Sequence, residues 1–254
     1  MKVIFSRKGW DSACGGKASP VFGSKEIYSI PIPCSPPSPS YSSVTPSVLS
    51  RAGFSSAGNL ISTLSRCVNT YAHLDPDLDC TSLSRHSGWR HCFGQKGSAA
   101  AHLDNQNVGK GDIFLFYGWF DDELSRVPWR YAHKDRYIIW GWLQVDCVIH
   151  LKTGNIPGWL SYHPHVVHAG SFGSKNRVYI GSNHLGGSII SGWRGAGVFG
   201  KEHSCRVLTK APGHRTRYPD KIPAWMSFSK HQQEHVWDTN SSPLALGYLR
   251  SFFV

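Results

Sequence analysis

The stretch that decides the fold begins with VGKGDIFLFYGWF at residues 108–120 and resumes with RYIIWGWLQVDCVIHL at residues 136–151. Both pieces are runs of aromatic and branched apolar residues with the length of a buried strand. The interval 121–135 is rich in charged residues and contains Pro128, which predicts a solvated excursion. We therefore expect 113–120 and 137–149 to be neighbouring strands of a central sheet, either a curved mixed sheet or the core of a closed barrel.

The composition favours an α+β, mostly β protein with a few short helices and long loops. Hydrophobic residues make up 40% of the 254 residues, charged residues only 17%, and there are ten Trp and 26 Gly. These proportions are typical of a turn-rich, aromatic-packed sheet rather than a helix bundle. We predict one domain over residues 1–254, with a Ser- and Pro-rich covering loop at about 35–56, an amphipathic helix at 58–69 and a basic tail wrapping the core from about 209 to 254.

The charge of the chain indicates a polyanionic partner. Lys and Arg number 27 against 16 Asp and Glu, a formal net charge of +11. Such a charge favours nucleic acid or a nucleotide, although basic proteins that bind neither are also common. Seven scattered cysteines without a CxxC pair argue against a zinc ribbon and a secreted disulfide scaffold. Without an apolar leader or a membrane span, a cytoplasmic location is expected.

A candidate phosphate-binding loop follows the apolar strand KVIF at residues 2–5. Its candidate residues are Ser6, Arg7, Lys8, Asp11, Gly15 and Gly16. The cations could hold a phosphate, the glycines would let backbone amides approach it closely, and Asp11 is the one nearby acid that could be catalytic. The spacing matches neither a Walker loop nor a dinucleotide fingerprint, so an ordinary turn with a surface ion pair is the alternative.

A second candidate site is the cluster of His73, Asp75 and Asp77. Pro76 keeps the backbone extended or turned, so that both carboxylates can point to one side. The cluster could bind a divalent cation through oxygen, or supply a general base beside His73. The alternative is an acidic helix N-cap or a solvated turn. We predict that this cluster and the Arg7–Asp11 loop share one pocket.

Two further histidines, His163 and His165, are candidate metal ligands. Two residues apart on a strand, they would face one side, and His168 lies just beyond. Three histidines could ligate zinc or iron, but no neighbouring carboxylate completes the motif, so hydrogen-bonding roles are the alternative.

The remaining candidates are aromatic and amide residues. Alternation along the second strand predicts that Trp140 and Trp142 share a face, where with Trp119 they could hold a flipped or modified base or simply fill a core. Gln95 lies in a predicted turn at 93–95 before a helix, and its amide carries the paired donor and acceptor that suit a base edge.

Several strings in chain order resemble the nucleotide modification associated domain 3 family. They include SRKGWDSACGG at 6–16, HLDPDL at 73–78, AHLDNQNVGKGDIFLFYGWF at 101–120, IIWGWLQV at 138–145 and HPHV at 163–166. The family is associated with phage and bacterial gene neighbourhoods for base modification in DNA. The resemblance implies a role in making or handling modified nucleotides, with DNA favoured over RNA, and supplies no characterised reaction.

Two functions follow from these residues. The many ionisable groups favour an enzyme, a transferase or hydrolase acting on a nucleotide or a DNA base, with an unknown cofactor and a divalent metal as one option. The alternative is a non-catalytic reader of modified bases, because a Gly-Asp turn followed by strands carrying Tyr-Gly and Ile-Trp-Gly also resembles the barrel core of PUA and EVE nucleic-acid readers.

Overall fold

A computed structural model describes residues 1–64, 70–133, 136–186, 192–200, 207–210, 234–240 and 243–253, without the side chains of 207–210 and 243–245. The strands are β1 (Lys2–Arg7), β2 (Ser19–Val21), β3 (Ile32–Cys34), β4 (Tyr71–His73), β5 (Cys92–Lys96), β6 (Ile113–Arg126), β7 (Trp129–Tyr131), β8 (Arg136–His150), β9 (Asn176–Gly181), β10 (Ala196–Val198), β11 (Val207–Lys210) and β12 (Glu234–Asp238). The helices are α1 (Ser47–Arg51), α2 (Ala57–Leu64), α3 (Gly97–Asn105), α4 (Pro164–Val167) and α5 (Pro243–Arg250), with 3₁₀ turns at Tyr41–Ser43, Gly158–Leu160 and Ala169–Ser171. Within these ranges, no helix has the length and apolar character to cross a membrane.

A large mixed sheet is built around β6 and β8. Its strand order is β12-β1-β6-β8-β9-β5, with β1 parallel to β6 and the other pairs along this path antiparallel. The predicted neighbouring strands are confirmed, since Ile113 lies opposite Gln144 and Phe120 opposite Arg136. Over the described residues the path has open ends at β12 and β5, so the mixed-sheet prediction is confirmed and the alternative of a closed barrel is wrong.

The two faces of this sheet carry separate hydrophobic cores. Along β6 the side chains alternate between them, as strand geometry requires. Ile113, Leu115 and Tyr117 enter one core together with Leu249 of α5, and Phe114 and Phe116 enter the other. The second face is closed in part by Leu103 of α3.

A β-bulge separates Trp140 from Trp142. The pairing of β6 with β8 skips one residue, because Phe116 lies opposite Gly141 and Tyr117 opposite Ile139. The extra residue reverses the alternation at that point. Trp142 therefore enters the first core and Trp140 the second, and the prediction that they share a face is wrong.

The charged interval after residue 120 is largely a β-hairpin rather than a solvated excursion. β6 continues to Arg126 and turns back through β7. Two of its carboxylates form ion pairs, Asp122 with Arg136 and Glu123 with Arg126, so these charges do not prevent strand formation. Residues 134–135 lie outside the described part of the chain.

The Ser- and Pro-rich segment contains packed structure. Tyr41 and Leu49 are buried in a third core, which they share with Leu60 of α2. The expectation that this segment is an unpacked cover is wrong, because apolar residues spaced among its prolines supply a buried face. The amphipathic helix is confirmed as α2 up to Leu64, and residues 65–69 lie outside the described ranges.

Two other local predictions have mixed outcomes. Residues 93–95 belong to strand β5 and are not a turn, but the helix predicted after them is confirmed as α3. Of the tail from 209 to 254, the structure describes the end of β11, β12 and α5, while 211–233 lies outside, so the wrapping of the core stays a prediction.

Candidate functional site

The candidate site is organised by the carboxylate of Asp75, which lies just after β4. β4 pairs with β3 so that His73 is opposite Ile32, which makes Cys34 a diagonal neighbour of His73. The backbone amide of Gly94 in β5 donates a 2.6 Å hydrogen bond to Oδ1 of Asp75. The pairing of β3 with β4 therefore positions His73, and the hydrogen bond from β5 positions Asp75.

Three histidine rings surround this carboxylate. His73 Nε2 lies 3.8 Å and His165 Nε2 3.5 Å from Oδ2, while His163 Nε2 lies 3.3 Å from Oδ1. The side chain of Asp75 is 4% exposed and that of His163 is fully buried. A carboxylate so far from water requires compensating charge or hydrogen bonds, and the three rings and the Gly94 amide supply them.

His163 and His165 reach Asp75 from a helix and not from a strand as predicted. His163 caps α4, and its Nδ1 accepts a hydrogen bond from the His165 amide. Pro164 at the first helical position favours the helix over a strand. Within this short turn both rings still face the carboxylate, so the expected convergence occurs for a different reason.

The electrostatics of the site follow from this packing. Burial acts to raise the pKa of Asp75, but the close imidazoles of His163, His165 and His73 hold that pKa well below its usual range. Burial acts to lower the pKa of His73, but its contacts with Asp75 and Cys34 raise that pKa to about 9. For His165 the effect of burial is larger than that of the contact with Asp75, so its pKa is lowered. The packing therefore favours the ionised form of Asp75.

A thiol extends the site on the far side of His73. Cys34 Sγ lies 3.6 Å from His73 Nδ1 and 3.5 Å from His168 Nε2, and Ser38 donates to it at 3.2 Å. Burial acts to raise the pKa of this thiol, but the hydrogen bonds from His73 and Ser38 lower it to about 6. Sequence analysis missed Cys34, because no local motif links it to a histidine 39 positions away.

An aromatic ring and a cation cover the histidines. The ring of Phe172 stands edge-on to His165 with centroids 5.1 Å apart, and Lys96 Nζ lies 3.4 Å from the centre of the Phe172 ring. Phe172 is partly exposed and Lys96 is exposed. This side of the site therefore reaches the protein surface.

Asp77 belongs to a separate network. Its fully buried carboxylate accepts two hydrogen bonds from Arg85, at 2.6 and 2.7 Å, and others from Tyr162 and Trp89. The prediction placed Asp77 beside Asp75 as an acid–base or metal group. With its oxygens occupied in this way, Asp77 anchors the segment that carries Asp75.

The basic N-terminal loop is paired within itself and with the sheet. Arg7 pairs with Asp11, whose Oδ1 accepts the amides of Ala13 and Cys14. Lys8 lies 3.2 Å from Glu234, which also accepts from Gln95. These groups show the arrangement of a turn with an ion pair, the alternative considered for this loop.

The other candidate residues of that loop also make contacts within the fold. A Cβ on Gly15 would lie 2.2 Å from the Trp10 ring, so the close approach this glycine permits is to Trp10. Gly16 donates its amide to Asp11, and Ser6 is fully buried on β1. Trp119, the remaining aromatic candidate, is partly buried against the first core.

A cavity of about 230 Å³ lies between the N-terminal loop and the Asp75 segment. Its lining includes Gly9, Tyr28, Arg51, Asp75, Trp140 and Phe199. Of the residues predicted to share one pocket, Asp75 is in this lining and Arg7, Lys8, Asp11, His73 and Asp77 are not. This cavity therefore does not join the two predicted clusters. The hydroxyl of Tyr28 and the indole nitrogen of Trp140 are buried without a hydrogen-bond partner among the described residues.

Comparison with known proteins identifies one family. The model of the family described as nucleotide modification associated domain 3 matches residues 2–250. No curated protein and no solved structure matches the chain.

Proposed function

The chain belongs to the nucleotide modification associated domain 3 family, and we propose that it is an enzyme that modifies a nucleotide or a base in DNA at the Asp75 site. The observation that carries this proposal is the buried, ionised carboxylate of Asp75 held among His73, His163 and His165. Buried titratable groups with strongly shifted pKa values concentrate at functional sites. Purely structural packing would not require three imidazoles around one carboxylate.

The volume and the lining of the cavity beside Asp75 support the proposal that a base binds there. Its volume of about 230 Å³ is below the roughly 300–1,000 Å³ of pockets for larger ligands, and suits one ring system. Tyr28 and Trp140 line the cavity with aromatic surface, and the Tyr28 hydroxyl and the Trp140 indole nitrogen have no hydrogen-bond partner among the described residues. A base would stack on the rings and satisfy those groups, as bases do in flipped-base sites.

Arg51 supports a phosphate contact at the same cavity. It lines the cavity, its side chain is 57% exposed, and its Nε donates to Glu26 at 2.6 Å. A guanidinium can hold a phosphate in the fork geometry that it offers to a carboxylate. Arg51 lines the cavity whereas Arg7 and Lys8 do not, so we propose Arg51 for the phosphate contact that the sequence suggested for those two residues.

A direct test compares the nucleosides of cells that produce the native chain with those of cells that produce Asp75→Asn. DNA and free nucleotides from both are digested and analysed by mass spectrometry, with Asp146→Asn, which alters a partly exposed ion-pair residue, as the control. We expect a nucleoside mass gained or lost with the native chain and with Asp146→Asn, but not with Asp75→Asn. Identical profiles in all three strains would overturn the proposal.

A further inference from the structure

We propose that His73, Asp75 and His165 are the ligands of a divalent transition-metal ion. The inference deepens the proposed function, since it rests on the same site and names a cofactor for it. It is tested by metal binding alone, so the two can fail separately. The sequence suggested His73 with both aspartates, or His163 with His165, as metal ligands. In the structure the converging ligands are His73 from the first set, His165 from the second set and the carboxylate of Asp75.

The first observation is the spacing of the ligand atoms. His73 Nε2, Asp75 Oδ2 and His165 Nε2 all lie within 4.8 Å of one another, with nitrogen-to-oxygen distances of 3.8 and 3.5 Å. A metal bound at about 2.0–2.2 Å to nitrogen and oxygen places neighbouring ligand atoms roughly 3.0–3.5 Å apart. Shifts of a few tenths of an ångström would bring the two nitrogen-to-oxygen distances into this range, and the two imidazole nitrogens, at most 4.8 Å apart, would move together around the ion.

The second observation is the orientation of His165. Its Nδ1 lies 2.7 Å from Asn176 Oδ1, while Asn176 Nδ2 donates to the His165 carbonyl at 2.9 Å, which fixes the amide orientation. Nδ1 of His165 therefore carries a proton, which it donates to Asn176, and Nε2 is the nitrogen that faces Asp75 Oδ2 at 3.5 Å. Nε2 is thus the nitrogen left for a metal ion, as in histidines whose other nitrogen is held by a fixed partner.

The third observation is that outer partners hold each ligand in place. Cys34 contacts His73 through Nδ1, as Asn176 contacts His165, so both rings present Nε2 to the centre. The Gly94 amide and His163 occupy Oδ1 of Asp75, which leaves Oδ2 for the ion. Metal-bound histidines are commonly oriented by a partner on the second nitrogen.

The ligand set predicts the kind of metal and its use. Two imidazoles and one carboxylate suit zinc or iron(II) and disfavour magnesium and calcium, which prefer oxygen. Three protein ligands leave positions open, the pattern of catalytic rather than structural centres. Phe172 is partly exposed and Lys96 is exposed, so this side of the site lies close to the protein surface.

Calorimetry on the full chain, freed of metal with a chelator, tests the site with Zn²⁺ and Mg²⁺ as probes. We expect one Zn²⁺ per chain and no competition from millimolar Mg²⁺. Zn²⁺ affinity should fall at least 100-fold in Asp75→Asn and in His165→Gln, and about 10–100-fold in Asn176→Ala. It should change less than twofold in His150→Gln, which alters an exposed histidine of β8. Absence of stoichiometric Zn²⁺ binding by the native chain, or unchanged affinity in both ligand variants, would overturn the proposal.

If a ligand variant does not fold, the visible absorption spectrum of the native chain with Co²⁺ tests the metal site instead. Co²⁺ bound at this site should give the intense visible bands of low-coordinate nitrogen and oxygen ligation, and Zn²⁺ should abolish them. A spectrum like that of aqueous Co²⁺ would overturn the metal centre. Metal binding without any change in cellular nucleosides would leave the centre standing and overturn the enzyme proposal instead.

Discussion

The Gly94 amide donates its hydrogen bond to Asp75 at the point where the ring of His165 packs against the Gly94 backbone. A Cβ at this position would lie 2.2 Å from that ring, far inside van der Waals contact. Glycine at 94 is therefore required for the carboxylate and the imidazole to meet. Gly94 thus links the strand β5 to two of the three proposed metal ligands.

Gly94→Ala should displace His165 and weaken the site. We expect a loss of about 1–3 kcal/mol in the free energy of unfolding, the usual cost of overpacking a buried position, and Zn²⁺ binding weakened at least 10-fold. Urea denaturation and calorimetry measure the two effects. Gly170→Ala is the control, because a Cβ there meets nothing within 4 Å. Equal behaviour of the two variants would contradict this account of Gly94.

Asp77→Asn should destabilise the chain more than most single substitutions. The carboxylate is fully buried and holds Arg85, and Arg85 also stacks on Trp89 at 4.2 Å. Removing one partner of a buried ion pair leaves the other charge uncompensated, which costs roughly 3–5 kcal/mol. Urea denaturation of Asp77→Asn measures this loss.

The matched control for Asp77 is Lys110→Ala, which breaks an ion pair with Asp146 in which Lys110 is 80% exposed. Exposed pairs contribute about 0–1 kcal/mol. We therefore expect little change in the free energy of unfolding. An Asp77→Asn variant as stable as Lys110→Ala would show that the buried network does not anchor the Asp75 segment.

Tyr28→Phe should weaken nucleotide binding without changing the stability of the chain. The Tyr28 hydroxyl has no partner among the described residues, whereas the Tyr41 hydroxyl donates to the Pro31 carbonyl at 2.6 Å. Tyr28→Phe should leave the free energy of unfolding within about 0.5 kcal/mol and weaken nucleotide binding roughly 2–10-fold, the value of one hydrogen bond. Tyr41→Phe should lose about 1–3 kcal/mol of stability instead.

Titration of both tyrosine variants with the four deoxynucleoside monophosphates measures the binding. The cavity assignment predicts that the native chain binds at least one of them. If none binds, or if Tyr28→Phe binds as tightly as the native chain, the base does not occupy this cavity.

Local patterns in the sequence were sufficient for the central strands. The apolar runs of β6 and β8, the short strand β1 and the helix α2 all follow from the spacing of apolar residues, because that spacing shows which faces are buried. The bulge at Trp140 could not be predicted in this way. One extra residue in a strand leaves no mark in composition, although it sends Trp140 and Trp142 to opposite faces.

The candidate site was predictable in its parts but not in its assembly. His73 and Asp75 could be predicted because ionisable residues are concentrated around them, and His163 and His165 because they are two residues apart. Their convergence depends on strand pairing and on the α4 turn, which no local pattern specifies. Cys34, Gly94 and Asn176 were missed because each acts on a residue distant in sequence or through its backbone.

His235 predicts how stability depends on pH near the β12 edge of the sheet. Burial, with a smaller effect of His102, lowers the pKa of His235 to about 4. The unfolded chain, with an ordinary value of about 6.5, therefore binds more protons between pH 6.5 and 4. Because unfolding then takes up a proton, the stability contributed by the neutral ring is present above pH 6.5 and is lost as the pH falls through this window.

Urea denaturation at pH 7.0, 5.5 and 4.5 tests this expectation in the native chain and in His235→Gln. The native chain should lose up to about 1.4 kcal/mol per pH unit more than the variant within the window, the limit for one proton. Contributions from Asp75 and the other histidines are common to both proteins and cancel in the difference. Parallel pH profiles would mean that His235 takes up its proton equally well in the folded chain, and the burial of β12 against β1 would then be incorrectly assigned.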